Sequence, residues 1–287
     1  MVIANMLAIS TTRQSMCELF AVSSLNRVAV DYSLHEFSQH GGLSHLNKSG
    51  WGMSFQQDLD TLLIKEAMPA FDSAWVKFIH DQHLSSNCIL AHVRYATKGE
   101  PVFENTHPFK REAFGRAHVF AHNGSLSGYE EALPLNSTTF LPMGQTDSEH
   151  AFCYLLNELS DLWKTSPPSL NEKLEVLSNV ALKMRATGSA NFLYSDGEFL
   201  FAHADKRRYD SEGTFGPNQS PALHWIARRD FKARGLDLKS QDSPNQKTLL
   251  LASVPLSGDN WEGLPRGTII AAQSGQIVEQ ISIGEGI

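Results

Sequence analysis

The chain has 287 residues, 41% hydrophobic and 19% charged, with a formal net charge of −7. This composition supports one large globular domain or two small ones, and it excludes wholesale disorder, collagen, coiled-coil and disulfide-scaffold architectures. No apolar run reaches the ~18–20 residues of a membrane-spanning helix, and the longest basic run, Lys206 to Arg208, is too short for a nucleic-acid footprint.

Residues 1–16, MVIANMLAISTTRQSM, start apolar but carry no basic n-region and no small-residue cleavage site, so they do not read as a secretory signal. They read as a mis-assigned start, a disordered tail or a removable leader. The expectation is that they are absent from the active form. Residues 17–287 are then expected to form a single domain, since no Pro/Gly/Ser-rich linker divides them.

Strand-like runs come first: CELFAV (17–22), GWGMSF (50–55), TLLIKEA (61–67), NCILAHVRY (87–95) and AHVFAHN (117–123). Short helices are expected over 34–40 and 71–83. A long helix starts at Thr146, with Phe152, Leu155, Leu156, Leu159 and Leu162 at helical spacing. Thr146 and Glu149 predict a capping box at its start. A second helix is expected over 171–187. Strands return at 190–195, 198–203, 222–228, 247–253 and 267–272, with turns at Ser195-Asp196-Gly197 and Ser274-Gly275. Residues 229–246 read as a polar loop. Hairpins on both sides of a helix pair predict an α+β layered domain and not a regular βαβ alternation.

Three cysteines at wide spacing make a poor disulfide framework and fit a reducing, cytoplasmic setting. Cys88 and Cys153 lie in apolar runs and read as buried packing thiols. Cys17, preceded by Met16 and followed by a strand, is different.

The notable polar residues cluster between 91 and 149. Arg94 and His107 follow one strand, Asn123-Gly124 ends the next, and Asp147 opens the long helix. Each has an ordinary reading taken alone: a surface ion pair, a satisfied loop histidine, a turn, a helix-dipole partner. His118 and His122 would pair on zinc only from a helix, and their segment reads as a strand. Together the set describes another chemistry. A guanidinium fork clamps a carboxylate. A carboxylate holds an α-ammonium. An Asn amide and a Gly N–H stabilise an oxyanion, and a thiol attacks an amide.

The segments MCEL (16–19), SGWGMSF (49–55), AHVRYATKGEPVFENTHPF (91–109), FAHNGSL (120–126) and TDSE (146–149) resemble the class II glutamine amidotransferases, which are N-terminal-nucleophile hydrolases. The stretch LLASVPLSGDNWEGLPRGTIIAA (250–272) is similar to the stand-alone bacterial YafJ-like branch of that family. Lys98 stands where many relatives carry His.

The resemblance implies a four-layer αββα sandwich. It implies Cys17 as nucleophile with its own freed α-amine as base, at an unperturbed pKa of ≈ 7.7–8.0. Asn123 and Gly124 would form the oxyanion hole. Arg94 and Thr97 would hold the substrate α-carboxylate and Asp147 the α-ammonium, with His107 near the pocket and Trp51 on its wall. No cofactor or metal is implied. The expected substrate is glutamine, hydrolysed to glutamate and ammonia. A γ-glutamyl amide or peptide is the alternative, and a non-catalytic amino-acid-binding or partner-binding protein is the reading from another class. No nucleic acid or membrane is expected as partner; a homodimer or an ammonia-accepting partner is compatible with the sequence.

Overall fold

Apolar residues alternate along the strand runs, so each strand offers two faces. In the first strand Phe20 and Val22 point to one side and Leu19 and Ala21 to the other, and both sides are buried. A strand apolar on both faces needs a packed layer on each. A computed structural model describes residues 17–30, 37–38, 41, 48–95, 99–136, 138–164, 166–211, 214–228, 238–239 and 245–284. The 34–40 helix and the 229–246 loop lie largely outside them, and residues 1–16 entirely.

In chain order the elements are β1 (Glu18–Val30), β2 (Trp51–Gln57), β3 (Asp60–Glu66), α1 (Ala74–Asp81), β4 (Ser85–Val93), β5 (Phe109–Ala113), β6 (Arg116–Asn123) and the short α2 (Tyr129–Ala132). The helix pair follows, α3 (Asp147–Leu162) and α4 (Leu170–Thr187). Then come β7 (Asn191–Ser195), β8 (Leu200–Ala204), β9 (Arg207–Ser211), β10 (Thr214–Gln219), β11 (His224–Arg228), β12 (Leu238–Lys239), β13 (Thr248–Ala252), β14 (Glu262–Gly263), β15 (Thr268–Gln273) and β16 (Gln276–Ser282).

Two large antiparallel sheets form, and β9 and β10 pair as a separate two-stranded one. The first runs β14-β11-β13-β1-β4-β2-β3, with β12 also on β1; the second runs β16-β15-β8-β7-β6-β5. Three apolar layers separate four structural ones. Leu19, Ala21, Leu90, Val119, Leu193 and Leu251 fill the space between the sheets. Phe20, Trp51, Met53, Phe55, Ile89 and Leu250 pack beneath α1 on the outer face of the first sheet. Phe120, Phe152, Leu155, Leu177, Met184 and Phe192 join the second sheet to α3 and α4. The expected αββα order is therefore the order observed.

Two expectations need correction. Thr146 Oγ1 does accept from Glu149 N at 3.2 Å. The Glu149 side chain, however, does not reach back to Thr146. It is drawn to Arg111 at 2.5 Å and to Gly144 N–H at 2.7 Å. The reciprocal capping box occurs instead on α4, where Ser169 and Glu172 each satisfy the other's backbone. Cys153 is buried as expected, but Cys88 is only half-buried. It faces the inter-sheet layer where that layer opens into a cleft, with its Sγ 3.8 Å from Ser195 Oγ.

Replacing Ser169 by Ala removes one acceptor and leaves the α4 amino end short of a partner. Equilibrium urea unfolding should show a loss of about 1 kcal/mol. An unchanged midpoint and slope would refute the cap's contribution.

Candidate active site

Ends of five strands meet at one rim of the sandwich. In the first sheet Glu18 pairs with Val93, and Trp51 with Val93, so the starts of β1 and β2 flank the end of β4. In the second sheet Asn123, ending β6, pairs with Asn191, opening β7. Face-to-face packing lays these two edges over each other. Cys17, Arg94 and Asn123 come from three distant parts of the sequence and meet for that reason.

Cys17 stands just before β1, half-buried. Its Sγ sits 3.3 Å from the Tyr95 carbonyl and accepts from Tyr95 N–H at 3.2 Å. Asn123 Nδ2 donates to the Cys17 carbonyl. Enclosure pushes the thiol up to about 11, opposed by the Tyr95 backbone and by the charges of Arg94 and Arg207. The thiol is protonated at neutral pH, so attack requires a base.

Gly124 follows Asn123. A Cβ there would run into the Ser189 carbonyl and crowd His122 Nε2, so only glycine lets this turn lie against the segment before β7. The turn is held from the helix side. Asp147, first residue of α3, accepts from Leu126 N–H at 2.7 Å and from Ser148 N–H at 2.9 Å. Its carboxylate lies within electrostatic range of both Arg94 and His122.

Arg94 is buried, and it directs Nη1 to the carbonyls of Glu100 at 3.1 Å and Ser49 at 3.4 Å, and Nη2 to Gly99 at 3.1 Å. Thr97 lies outside the described residues. His107 is brought to the same end, but inside the wall: its ring stacks on His92 at 4.2 Å and abuts Phe109 at 4.5 Å. Gly52 makes room for this, since a Cβ there would strike the His107 carbonyl. Among the described residues the four ring nitrogens of His92 and His107 have no well-aligned hydrogen-bond partner. Burial and neighbouring positive charge lower His92 to about 3 and His107 well below its ordinary value. Both are therefore neutral.

Trp51 does not line the site. The β2 alternation turns it outward into the core beneath α1, where its Nε1 donates to Glu66 Oε2 at 3.0 Å. Gly52 takes the inward position.

The sequence reading passed over four nearby residues. Tyr95 acts through its backbone, which no side-chain pattern reveals. Glu18 is a charged residue in an apolar strand, a signal the sequence did carry, whereas Arg207 stands in the polar run Lys206–Ser211, where nothing marked it; both are fully buried. Ser253 looked like an ordinary small residue at a strand end.

A model of the class II glutamine amidotransferases matches residues 16–285. The chain belongs to that family. It is a family of enzymes, and its fold is that of the N-terminal-nucleophile hydrolases. Protein YafJ of Escherichia coli (strain K12) is 34% identical over 261 residues, spanning 88% of this chain and 95% of YafJ. A protein of Methanocaldococcus jannaschii is 30% identical, over 92% of this chain and 71% of its own. The crystal structure of a predicted glutamine amidotransferase from Pseudomonas aeruginosa PA01 superposes with a TM-score of 0.66 at 27% identity, covering 92% of this chain and all of that one. A Bacillus subtilis glutamine phosphoribosylpyrophosphate amidotransferase shares the fold at TM-score 0.58 and 14% identity, this chain spanning 50% of its length.

The buried histidines make stability acid-sensitive. Neutral in the folded protein, they gain protons near 6.5 once unfolded, so the unfolded state binds more protons below that pH. Each contributes a slope of about 1.4 kcal/mol per pH unit until its folded pKa is reached. Urea unfolding should show a plateau above about pH 7 and a fall in stability from pH 6.5 to 4. Equal stability at pH 7.5 and 5 would contradict the neutral buried state.

Proposed function

We propose that the chain hydrolyses the side-chain amide of glutamine to glutamate and ammonia through a thioester on Cys17. The observation that carries this reading is the hydrogen bond from Asn123 Nδ2 to the carbonyl of Cys17, whose thiol is held by the Tyr95 backbone, with Gly124 next in the chain after Asn123. In this reading residues 1–16 are removed and residues 17–287 act as one catalytic domain in a reducing cytoplasm. The freed amine of Cys17 takes the thiol proton. The thiolate attacks the amide carbon, and the developing oxyanion is held by Asn123 Nδ2 and Gly124 N–H. Collapse expels ammonia, which leaves with the transferred proton. Water, deprotonated by the same amine, then attacks the thioester and releases glutamate and the thiol.

Arg94 takes the substrate α-carboxylate in this reading once it exchanges a loop carbonyl for it, a role that Thr97 is expected to share. Asp147 suits the α-ammonium. His107 is a neutral packing group that fixes this wall. Every one of these contacts falls on the γ-glutamyl half of the substrate. Comparing ammonia release from glutamine with amine release from γ-glutamyl peptides therefore reports the leaving group, which is the point where the γ-glutamyl hydrolase alternative differs.

Cys17→Ala should abolish turnover on either substrate without lowering the thermal midpoint. For the processed wild type, kcat/KM should rise with pH and level off above about 8, as the free α-amine becomes the base. A Cys17→Ala variant that loses turnover yet keeps full biological activity would favour a binding role for the chain.

A further inference from the structure

The last rung between β1 and β13 is irregular in an informative way. Phe20 pairs with Ala252, so Leu19 should pair with Ser253 and exchange two backbone hydrogen bonds. One is made: Ser253 N donates to Leu19 O at 2.9 Å. The other is replaced. Leu19 N donates to the Ser253 hydroxyl, at 3.1 Å, and the Ser253 carbonyl turns away to accept from Arg207 Nη1 at 2.9 Å. Ser253 is fully buried, as is Arg207, whose Nε and Nη2 have no hydrogen-bond partner among the described residues. The guanidinium lies over the Tyr209 ring at 5.4 Å and within electrostatic range of Glu18 and Cys17.

The Ser253 hydroxyl also faces Asn123, whose Nδ2 approaches Ser253 Oγ at 3.5 Å while donating to the Cys17 carbonyl. An amide nitrogen has two hydrogens, and these are the two acceptors they find. Among the described residues Asn123 Oδ1 is buried with no hydrogen-bond partner, so none of them fixes the amide from its oxygen side. The amide plane is therefore defined by Cys17 O and Ser253 Oγ. The long Ser253 contact is the weaker of the two, so that hydrogen can be shared between Ser253 Oγ and a substrate oxyanion while the hydroxyl still sets its direction.

We propose that Ser253 is a positioning residue for the reaction. Its hydroxyl aims the Asn123 amide and ties it to the first turn of backbone after the nucleophile, and Arg207 anchors its carbonyl. The proposal rests on the reading of Cys17 as nucleophile and Asn123 as oxyanion donor. Ser253 does not touch substrate; it acts through Asn123, so its loss should fall on the transition state and not on substrate binding.

The test is steady-state hydrolysis of glutamine and of γ-glutamyl-p-nitroanilide by the processed wild type, Ser253→Ala, Ser253→Thr and Cys17→Ala. Ser253→Ala should lower kcat about tenfold or more on the better substrate, with KM within about threefold. Ser253→Thr, which keeps the hydroxyl, should recover to within about threefold of wild type, and the pH profile should keep its shape. An unchanged kcat, a rise in KM alone, or a loss that the threonine variant does not rescue while its thermal midpoint stays at the wild-type value would overturn the positioning role. Turnover that persists in Cys17→Ala, or a wild type inactive on both substrates, would instead overturn the reading of the nucleophile, and the positioning role with it.

Discussion

The hydrogen bond from Asn123 Nδ2 to the Cys17 carbonyl joins the two sheets at the rim where the chemistry is concentrated. It can form only because the sheets pack face to face with the start of β1 over the end of β6. That packing is apolar and non-directional, supplied by Leu19, Ala21, Val119, Ala121 and Leu193. The hydrophobic layer brings the edges together, and directional polar contacts at the rim set the final angles. Gly124 and Gly52 serve the same end, since each is the only residue type that lets a turn or strand approach its neighbour closely enough.

The rim holds an unusual amount of buried polarity. Glu18, Arg94, Arg207, His92, His107, His122 and Asp147 are all buried on the side of the sandwich where Cys17 lies. Burying such groups costs stability unless each is paired, and among the described residues the ring nitrogens of His92 and His107 and two Arg207 nitrogens find no hydrogen-bond partner. Active sites accumulate this kind of cost because preorganised dipoles and charges assist chemistry only where water is kept out. The neutral histidine stack also fills the wall without adding positive charge beside Arg94.

Much of the architecture was legible in the sequence because period-2 and period-3.6 patterns differ sharply. The runs at 87–95 and 117–123 and the helices from 146 and 171 formed close to their expected bounds, while the run expected over 17–22 continues to Val30. The candidate site was legible through combination: Arg94, Asn123-Gly124 and Asp147 each have an ordinary explanation, and only their joint chemistry selects an amide substrate. What escaped were effects of tertiary context. Trp51 sits between two glycines, and nothing local says which face of β2 it takes. Glu149 satisfies the capping pattern, yet Arg111 from β5 draws it elsewhere. Tyr95 and Ser253 act through backbone groups or a ladder irregularity, which no residue-type pattern encodes.

The central claim is that a free Cys17 amine and thiol form one catalytic unit. It is tested most directly by intact mass of the active protein with and without the glutamine analogue diazo-oxo-norleucine, followed by peptide mapping. The account predicts a mass for residues 17–287 and a single adduct on Cys17. Active protein that retains residues 1–16, or an adduct mapped to Cys88 or Cys153, would contradict it.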